Sequence, residues 1–212
     1  MHPRLPGHGL YAITDGPRAD LFAAVEAALR GGAAVLQYRD KTPDAARRLA
    51  EARRLRELCT AARATFIVND DVGLAQEVGA DGVHLGEDDA AIAAARAQLG
   101  AHAIIGASCY DSLERARRLA AAGADYLAFG AFHASPTKPA ARRADPALLA
   151  AAKPLGLPLV AIGGITRDNA RALIDAGADF VAVISGVFAR ADVEAAARDY
   201  AILFRKEMSR IS

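Results

Sequence analysis

Short apolar runs alternate with longer helix-forming segments along the whole chain. The apolar runs lie at 9–14, 34–39, 65–70, 82–86, 103–108, 126–132, 159–165 and 180–186. The segments between them are rich in Ala, Leu, Glu and Arg, as in "SLERARRLAAAG", and favour α-helices. This alternation predicts eight strand–helix units with parallel strands, closed by a helix near 188–207.

Eight such units in 212 residues match the size of a compact barrel. We therefore predict an α/β fold, a (β/α)8 TIM barrel that forms a single domain over residues 1–212. The alternative is a doubly wound open sheet, which usually has fewer strands. The segment "GHGLYAITDG" around the first strand also lacks the G-x-G-x-x-G fingerprint of dinucleotide-binding sheets.

A weak internal repeat precedes the even-numbered strands. "GGAAVLQ", "VGADGVHLG", "AGADYLAFG" and "AGADFVAVI" each lead into one of them. The glycines at Gly32, Gly79, Gly123 and Gly177 suit positions just after helix ends, where a left-handed backbone is needed. The repeat supports a barrel, but Gly-Ala-Asp is also an ordinary helix-to-strand connection, and the two interpretations carry equal weight.

Composition limits the classes of partner. The net charge is +1, which gives no general reason to expect nucleic acid or an acidic membrane surface. Cys59 and Cys109 have no paired spacing and are expected to be free thiols in a reducing compartment. No apolar run is long enough for a membrane span, and the first residues do not resemble a signal peptide. We expect a soluble, cytoplasmic protein that acts on small molecules and that could form a homo-oligomer.

In a barrel of this kind the functional site forms at the carboxyl ends of the strands. The segment "QYRDK" at 37–41 ends the second strand. Because side chains of a strand alternate between faces, Gln37 and Arg39 should face the interior with Lys41 at the rim, while Tyr38 points outward. The third to sixth strands and the loops that follow them carry the other candidates: Asn69 and Asp70, His84 and Asp89, Ser108, and then Ser135, Thr137 and Lys138.

Cations and carboxylates are thus expected at one mouth of the barrel. Lys41 and Lys138 would lie near Asp70 and Asp89, either as plain ion pairs or around a hard divalent ion such as Mg²⁺, completed by phosphate oxygens and water. His84 is either a satisfied core histidine or a group that contacts a substrate heteroatom. Mg²⁺ prefers oxygen ligands, so we do not expect His84 to bind the metal.

A second anion site is expected at the seventh and eighth strands. Gly163 and Gly164 follow the seventh strand, and Ser185 and Gly186 follow the eighth, where barrels often bind a phosphate. The glycines could equally serve only tight turns. Taken together, the strand ends favour an enzyme that handles two phosphorylated groups, one with a metal ion, and a transferase from which pyrophosphate departs.

Seven motifs in series resemble one known family. "YAITD", "QYRDK", "VND", "GVHLGEDD", "SPTKP", "AIGGI" and "VISG" occur in the order and at the spacing of the thiamine-phosphate synthase family. The resemblance implies a Mg²⁺-assisted transfer of an aminopyrimidinylmethyl group from its diphosphate to a thiazole phosphate. In that family the pyrimidine diphosphate ionises first, and the thiazole traps the resulting cation.

The resemblance also implies a role for each matching residue. Ser108, Lys138, Arg39 and Lys41 would be catalytic, through the diphosphate and the departing pyrophosphate. The metal ligands would be Asp70 and Asp89. The substrate-binding residues would be Tyr11, Gln37 and His84 for the pyrimidine, Arg39, Lys41 and Asn69 for the diphosphate, Ser108, Ser135, Thr137 and Lys138 for the leaving pyrophosphate, and Gly164, Ile184 and Ser185 for the thiazole phosphate.

Two alternatives stay open at this point. A related thiazole tautomerase would need a histidine soon after the glycine that ends the sixth strand; here Ala131 follows Gly130, and His133 lies further on. A barrel that only senses a thiamine-related phosphate would not need leaving-group residues. Glu87 stands where the family commonly has glutamine, and the sequence gives no account of it.

Overall fold

The chain folds into a closed barrel of parallel strands. The computed structural model describes residues 5, 7–86, 90–134 and 143–205. Within them, each strand pairs with its sequence neighbour, and the first pairs with the eighth. The strands are β1 Gly9–Ile13, β2 Ala33–Tyr38, β3 Thr65–Asn69, β4 Gly82–Leu85, β5 Ile104–Tyr110, β6 Tyr126–Phe129, β7 Leu159–Ile162 and β8 Phe180–Val183. The predicted (β/α)8 TIM barrel is confirmed; the assignment of the whole range 1–212 to one domain stays a prediction.

Helices follow the strands and cover the outside of the barrel. They are α1 Leu21–Arg30, α2 Ala45–Ala62, α3 Val72–Val78, α4 Ala90–Leu99, α5 Leu113–Ala121, α6 Ala147–Ala152, α7 Arg167–Asp175, α8 Ser185–Phe188 and α9 Val193–Ala201. Short 3₁₀ helices lie at Lys153–Leu155 and Ile202–Phe204. Among the described residues, no helix is long and apolar enough to span a membrane.

The predicted boundaries are wrong near the end of the chain. The closing helix predicted near 188–207 is present but shorter: α9 covers Val193–Ala201, and the short α8 ends at Phe188 before it. The break falls at Asp192, whose backbone is extended and whose side chain accepts a hydrogen bond from the N–H of Ala195 at 2.9 Å. This is an N-cap, which starts a new helix. The strands β6, β7 and β8 also each end three residues earlier than the apolar runs suggested.

The core has two layers, one on each side of the barrel wall. The larger layer lies between strands and helices and includes Leu36 and Tyr38. The smaller layer fills the lumen and includes Tyr11, Val35 and Tyr126. The alternation predicted for β2 is therefore confirmed. Cys59 and Cys109 are buried and are not joined in a disulfide.

The Gly-Ala-Asp repeat has a structural explanation. The backbone N–H of Asp125 donates to the carbonyl oxygen of Ile105 at 2.7 Å, and its carboxylate accepts from the N–H of Ile105 at 2.8 Å. Asp81 and Asp179 make the same reciprocal pair with the residues Phe66 and Leu159. Each aspartate thus caps the start of the odd-numbered strand that precedes its own strand.

A basic side chain completes each of these three caps. Arg96 bonds Asp125 at 2.5 Å, Arg56 bonds Asp81 at 3.0 Å, and Lys153 bonds Asp179 at 2.8 Å. In each case the basic residue comes from the helical segment that leads into the capped strand. In "GGAAVLQ" the position of the aspartate is held by Ala34, and no helix leads into β1 among the described residues. In three of the four repeats the aspartate therefore joins the start of an even-numbered strand to the start of the odd-numbered strand before it.

Candidate active site

A cavity of about 900 Å³ opens at the carboxyl ends of the strands, as expected for this fold. Most of the predicted site residues line it: Tyr11, Gln37, Arg39, Lys41, Asn69, Asp70, His84, Ser108 and Ile184. Gly164 and Ser185 do not line it, although their neighbours Gly163 and Ile184 do. The predicted site residues Asp89, Ser135, Thr137 and Lys138 lie outside the described residues, as does Glu87.

A chain of hydrogen bonds crosses the lumen beneath the cavity. The Nε2 of Gln37 lies 2.9 Å from the hydroxyl of Tyr11, which lies 2.7 Å from the hydroxyl of Tyr126. That second hydroxyl is 2.9 Å from Nδ1 of His84, whose Nε2 is 3.0 Å from Oγ of Ser108. Five strands each contribute one side chain. His84 is therefore neither an isolated core residue nor a free surface group.

Burial keeps the titratable side chains of this hydrogen-bonded series uncharged. Desolvation raises the pKa of Tyr11 and the pKa of Tyr126, so both hydroxyls keep their protons. Desolvation also lowers the pKa of His84 to about 4, and the negative charge of Asp70 opposes this only in part. At neutral pH, His84 is a neutral imidazole with one N–H and one acceptor nitrogen.

Tyr126 is the member of this chain that the sequence reasoning missed. Its ring stacks on His84, with the centroids 5.6 Å apart, and it meets Tyr11 edge-on. It pairs in register with Gly106 of β5, where a Cβ would lie 1.8 Å from Cζ of the tyrosine. A glycine inside the run "AIIGAS" is the signal that could have found it, because a glycine facing the lumen leaves room for a large neighbour.

The exposed rim of the cavity is charged. Asn69 donates from Nδ2 to Oδ2 of Asp70 at 2.7 Å, and the Nζ of Lys41 lies 3.7 Å from the same oxygen. Asp70 has φ 61°, a left-handed conformation that non-glycine residues seldom adopt. This backbone is held by a hydrogen bond from the N–H of Asp70 to the carbonyl oxygen of His84 at 2.9 Å. Strain of this kind concentrates at functional sites.

The segment that carries Arg39 and Lys41 is anchored to α2. Asp40 has a fully buried carboxylate, which Arg47 bonds at 2.7 Å. Arg47 also bonds Glu51 at 2.8 Å, and Glu51 accepts from the hydroxyl of Tyr38 at 2.6 Å. The residues of "QYRDK" that face away from the cavity therefore hold its two cations at the mouth.

Arg115 is a second residue that the sequence reasoning missed. From α5 it donates to the carbonyl oxygen of Ser108 at 2.8 Å and to that of Gly86 at 2.9 Å. These bonds tie the ends of β4 and β5 together next to the cavity. Nothing in the spacing of α5 distinguishes this arginine from its exposed neighbours.

The glycines after β7 have a packing role. Gly163 has φ 101°, and a Cβ there would lie 2.4 Å from Cβ of Ala131. Gly164 has φ 60°, and its Cβ would lie 2.3 Å from the carbonyl oxygen of Ala134. Ser185 begins α8, which has only four residues, so this helix is short beside the serine. The glycines alone therefore do not indicate a phosphate, and the tight-turn interpretation accounts for them.

The carboxylate of Asp70 fits a magnesium site in which phosphate oxygens of the substrate complete the metal's coordination. Asp70 lines the cavity and its side chain is about half exposed, so an oxygen remains accessible beside its contacts with Asn69 and Lys41. Mg²⁺ in phosphate-binding enzymes commonly has one or two protein carboxylates, with phosphate oxygens and water as the other ligands. Among the described residues, no group of three or more His, Cys, Asp or Glu side chains could hold a metal by itself.

Residues 10–187 match the family model described as "Thiamine monophosphate synthase". This match covers most of the chain. The chain belongs to the thiamine monophosphate synthase family. Membership makes the protein an enzyme, a transferase, as the predicted resemblance implied.

Individual members of the thiamine monophosphate synthase family agree with this assignment. The chain is 58% identical over 200 residues to the thiamine-phosphate synthase of Chromobacterium violaceum, covering 93% of this chain and 96% of that protein. It is 63% identical over 165 residues to the one of Xanthomonas campestris, covering 78% and 80%. The solved structure of the thiamine phosphate pyrophosphorylase of Pyrococcus furiosus aligns with a TM-score of 0.83 at 37% identity, covering 92% of this chain and 94% of that one.

Proposed function

We propose that this enzyme transfers the 4-amino-2-methylpyrimidin-5-ylmethyl group from its diphosphate to a thiazole phosphate, giving thiamine monophosphate and pyrophosphate. The observation that carries the proposal is the difference between a charged rim and an uncharged floor of one cavity. At the rim, Lys41 and Asp70 are more than half exposed and, with Asn69, suit a diphosphate. At the floor, Gln37 and the neutral His84 suit an uncharged heterocycle.

The reaction requires stabilisation of the leaving diphosphate. The methylene C–O bond breaks with its electron pair moving to the diphosphate, and the lone pair of the thiazole nitrogen forms the new C–N bond to the same carbon. The thiazole nitrogen carries no proton, so the transfer needs no general base. Positioning and electrostatic stabilisation supply most of the rate in such a reaction.

The cations of "QYRDK" meet this need. Arg39 and Lys41 stabilise the charge that accumulates on the departing diphosphate, and Asn69 donates a hydrogen bond to it. Ser108, which lines the same cavity, donates to the oxygen that leaves. Lys138, Ser135 and Thr137 are proposed for the same group on the grounds of the motif "SPTKP".

Mg²⁺ would be held by Asp70, with Asp89 as the second proposed ligand. When bound, it would neutralise diphosphate charge and make pyrophosphate a better leaving group. The residues of the uncharged floor orient the pyrimidine: Gln37 pairs with its amino group, and Tyr11 and His84 contact the ring. Gly164, Ile184 and Ser185 are proposed for the phosphate of the thiazole, next to the lining residues of β7 and β8.

The test is release of pyrophosphate when both substrates and Mg²⁺ are mixed with the enzyme. We expect stoichiometric pyrophosphate and thiamine monophosphate, and neither product when one substrate is omitted. Aromatisation of a thiazole phosphate without the pyrimidine diphosphate would instead indicate a tautomerase. His133 is not among the described residues that line the cavity, which argues against that activity. Tight binding of both substrates without turnover would indicate a sensor.

A further inference from the structure

The buried chain from Gln37 to Ser108 has two possible directions, and they have opposite consequences for the cavity. Each tyrosine hydroxyl has one proton to donate, and a neutral imidazole has one N–H. We propose that the chain runs from Gln37 to Ser108, and that Tyr126 is a positioning residue that thereby holds the Ser108 hydroxyl as a hydrogen-bond donor toward the ligand.

The direction starts at the amide of Gln37. Its Nε2 faces the oxygen of Tyr11 at 2.9 Å, and an amide nitrogen can only donate. The hydroxyl of Tyr11 therefore accepts there, and its own proton needs another acceptor because the side chain is buried. The oxygen of Tyr126 lies 2.7 Å away. Tyr11 therefore donates to Tyr126.

The same accounting continues to the other end. The proton of Tyr126 goes to Nδ1 of His84 at 2.9 Å, so Nδ1 is the acceptor nitrogen and Nε2 carries the hydrogen. Nε2–H then donates to Oγ of Ser108 at 3.0 Å. The hydroxyl proton of Ser108 is left over for a group in the cavity, which Ser108 lines.

Packing makes Tyr126 a rigid link in this chain. The side chain is completely buried, and its ring lies over Gly106, where even a Cβ would lie only 1.8 Å from Cζ. Stacking on His84 restrains the plane of the imidazole as well. The tyrosine thus determines both the orientation of His84 and which of its nitrogens carries the proton.

The direction suits the proposed substrates at both ends, and this part of the inference rests on the proposed function. A donor at Ser108 stabilises an anionic phosphate oxygen, whereas a serine that donated to His84 would present only lone pairs to that anion. At the other end, Gln37 commits a donor to Tyr11 and keeps its carbonyl oxygen for an amino group of the ligand.

The first test is the tautomer of His84 in the enzyme without substrates. ¹⁵N NMR distinguishes a protonated ring nitrogen from an unprotonated one, and His84→Gln assigns the signal among the five histidines. We expect Nε2–H at pH 7. The Nδ1–H tautomer would mean a reversed chain with the Gln37 amide turned over, and would overturn the inference. This measurement needs no catalysis, so it can fail while the transferase activity stands, and it still decides if that activity is absent.

The second test is Tyr126→Phe, which removes one hydroxyl and keeps the ring. We expect a mixture of His84 tautomers and a loss of kcat/KM of about 3–10-fold, the effect of one hydrogen bond. In a Ser108→Ala background the same substitution should cost less than about twofold, because the donor it positions is already absent. Additive losses with an unchanged tautomer would mean that Tyr126 is only structural and would refute the inference.

Tyr38→Phe is the matched control. It also removes a hydrogen-bonded tyrosine hydroxyl, but one that faces α2 and bonds Glu51 outside the lumen. We expect it to lower stability to a similar extent while the His84 tautomer stays unchanged. A tautomer shift in this control equal to that of Tyr126→Phe would show that general loosening causes the effect, and would likewise refute the role of Tyr126.

Discussion

The three aspartates of the Gly-Ala-Asp repeat allow one physical argument to be tested three times in the same protein. Asp81, Asp125 and Asp179 make the same pair of backbone bonds and each bind one basic side chain. They differ in burial: the side chain of Asp125 is 5% exposed, against 31% for Asp81 and 30% for Asp179. We expect this difference to decide the cost of replacing each by alanine.

For Asp125→Ala, water has little access to the space that the carboxylate leaves, because the side chain of Asp125 is 5% exposed. The N–H of Ile105, a fully buried residue, loses its capping acceptor, which costs about 1–3 kcal/mol. Arg96 loses a charge partner in a half-buried position, although it keeps its bonds to the carbonyl oxygens of Ala103 and Gly123. Adding about 1 kcal/mol for this lost ion pair gives a sum of about 2–4 kcal/mol.

For Asp179→Ala we expect a loss of about 1–2 kcal/mol. The N–H of Leu159 also loses its acceptor there, but Lys153 is 43% exposed and water can replace the carboxylate. Asp81→Ala should fall close to this value, since Asp81 is about as exposed as Asp179. The ranking, with Asp125 clearly first, is the prediction.

Urea unfolding followed by circular dichroism measures these free energies. Asp125→Asn keeps an acceptor for Ile105 but loses the charge, so its cost should lie between wild type and Asp125→Ala. Asp175→Ala breaks an exposed pair with Arg171 and should change stability by less than about 0.5 kcal/mol. Equal losses at all three aspartates of the repeat, or a loss below about 1 kcal/mol at Asp125, would refute the reasoning from burial.

Three further predictions concern the site. Asp70→Ala should nearly abolish turnover and raise the Mg²⁺ concentration needed for half-maximal rate; an unchanged Mg²⁺ profile would remove Asp70 from the metal ligands. Ser185→Ala should raise the KM for the thiazole phosphate about 5–30-fold, the equivalent of about 1–2 kcal/mol, with little change for the pyrimidine; a selective pyrimidine defect would mean that the two pockets are exchanged. The pKa of His84 is about 4, below its ordinary 6.5, so His84 should stay neutral until the pH approaches 4. Its contribution to stability is therefore complete above pH 6.5 and is lost as the pH falls from 6.5 toward 4. The variant His84→Asn should flatten that part of the stability–pH curve, and an NMR titration with a midpoint near 6.5 would contradict the shift.

Local patterns were sufficient for much of the architecture. The alternation in "QYRDK" placed Gln37 in the lumen and Tyr38 on the outer face, because the side-chain period of a strand is a local property. The same patterns failed at Asp192. The composition of the segment 188–207 favours a helix throughout and does not show that Asp192 is an N-cap, so it could not predict that the helix begins at Val193.

The periodicity of this chain was enough to predict eight strand–helix units and the strand ends that carry the candidate residues, because both follow from neighbours along the chain. Tertiary structure alone decided that Tyr126 lies between Tyr11 and His84. These residues come from different strands and meet only because the barrel closes and Gly106 leaves room for a ring. It also decided the charge state of His84, because desolvation depends on what surrounds a group in three dimensions and not on its place in the sequence.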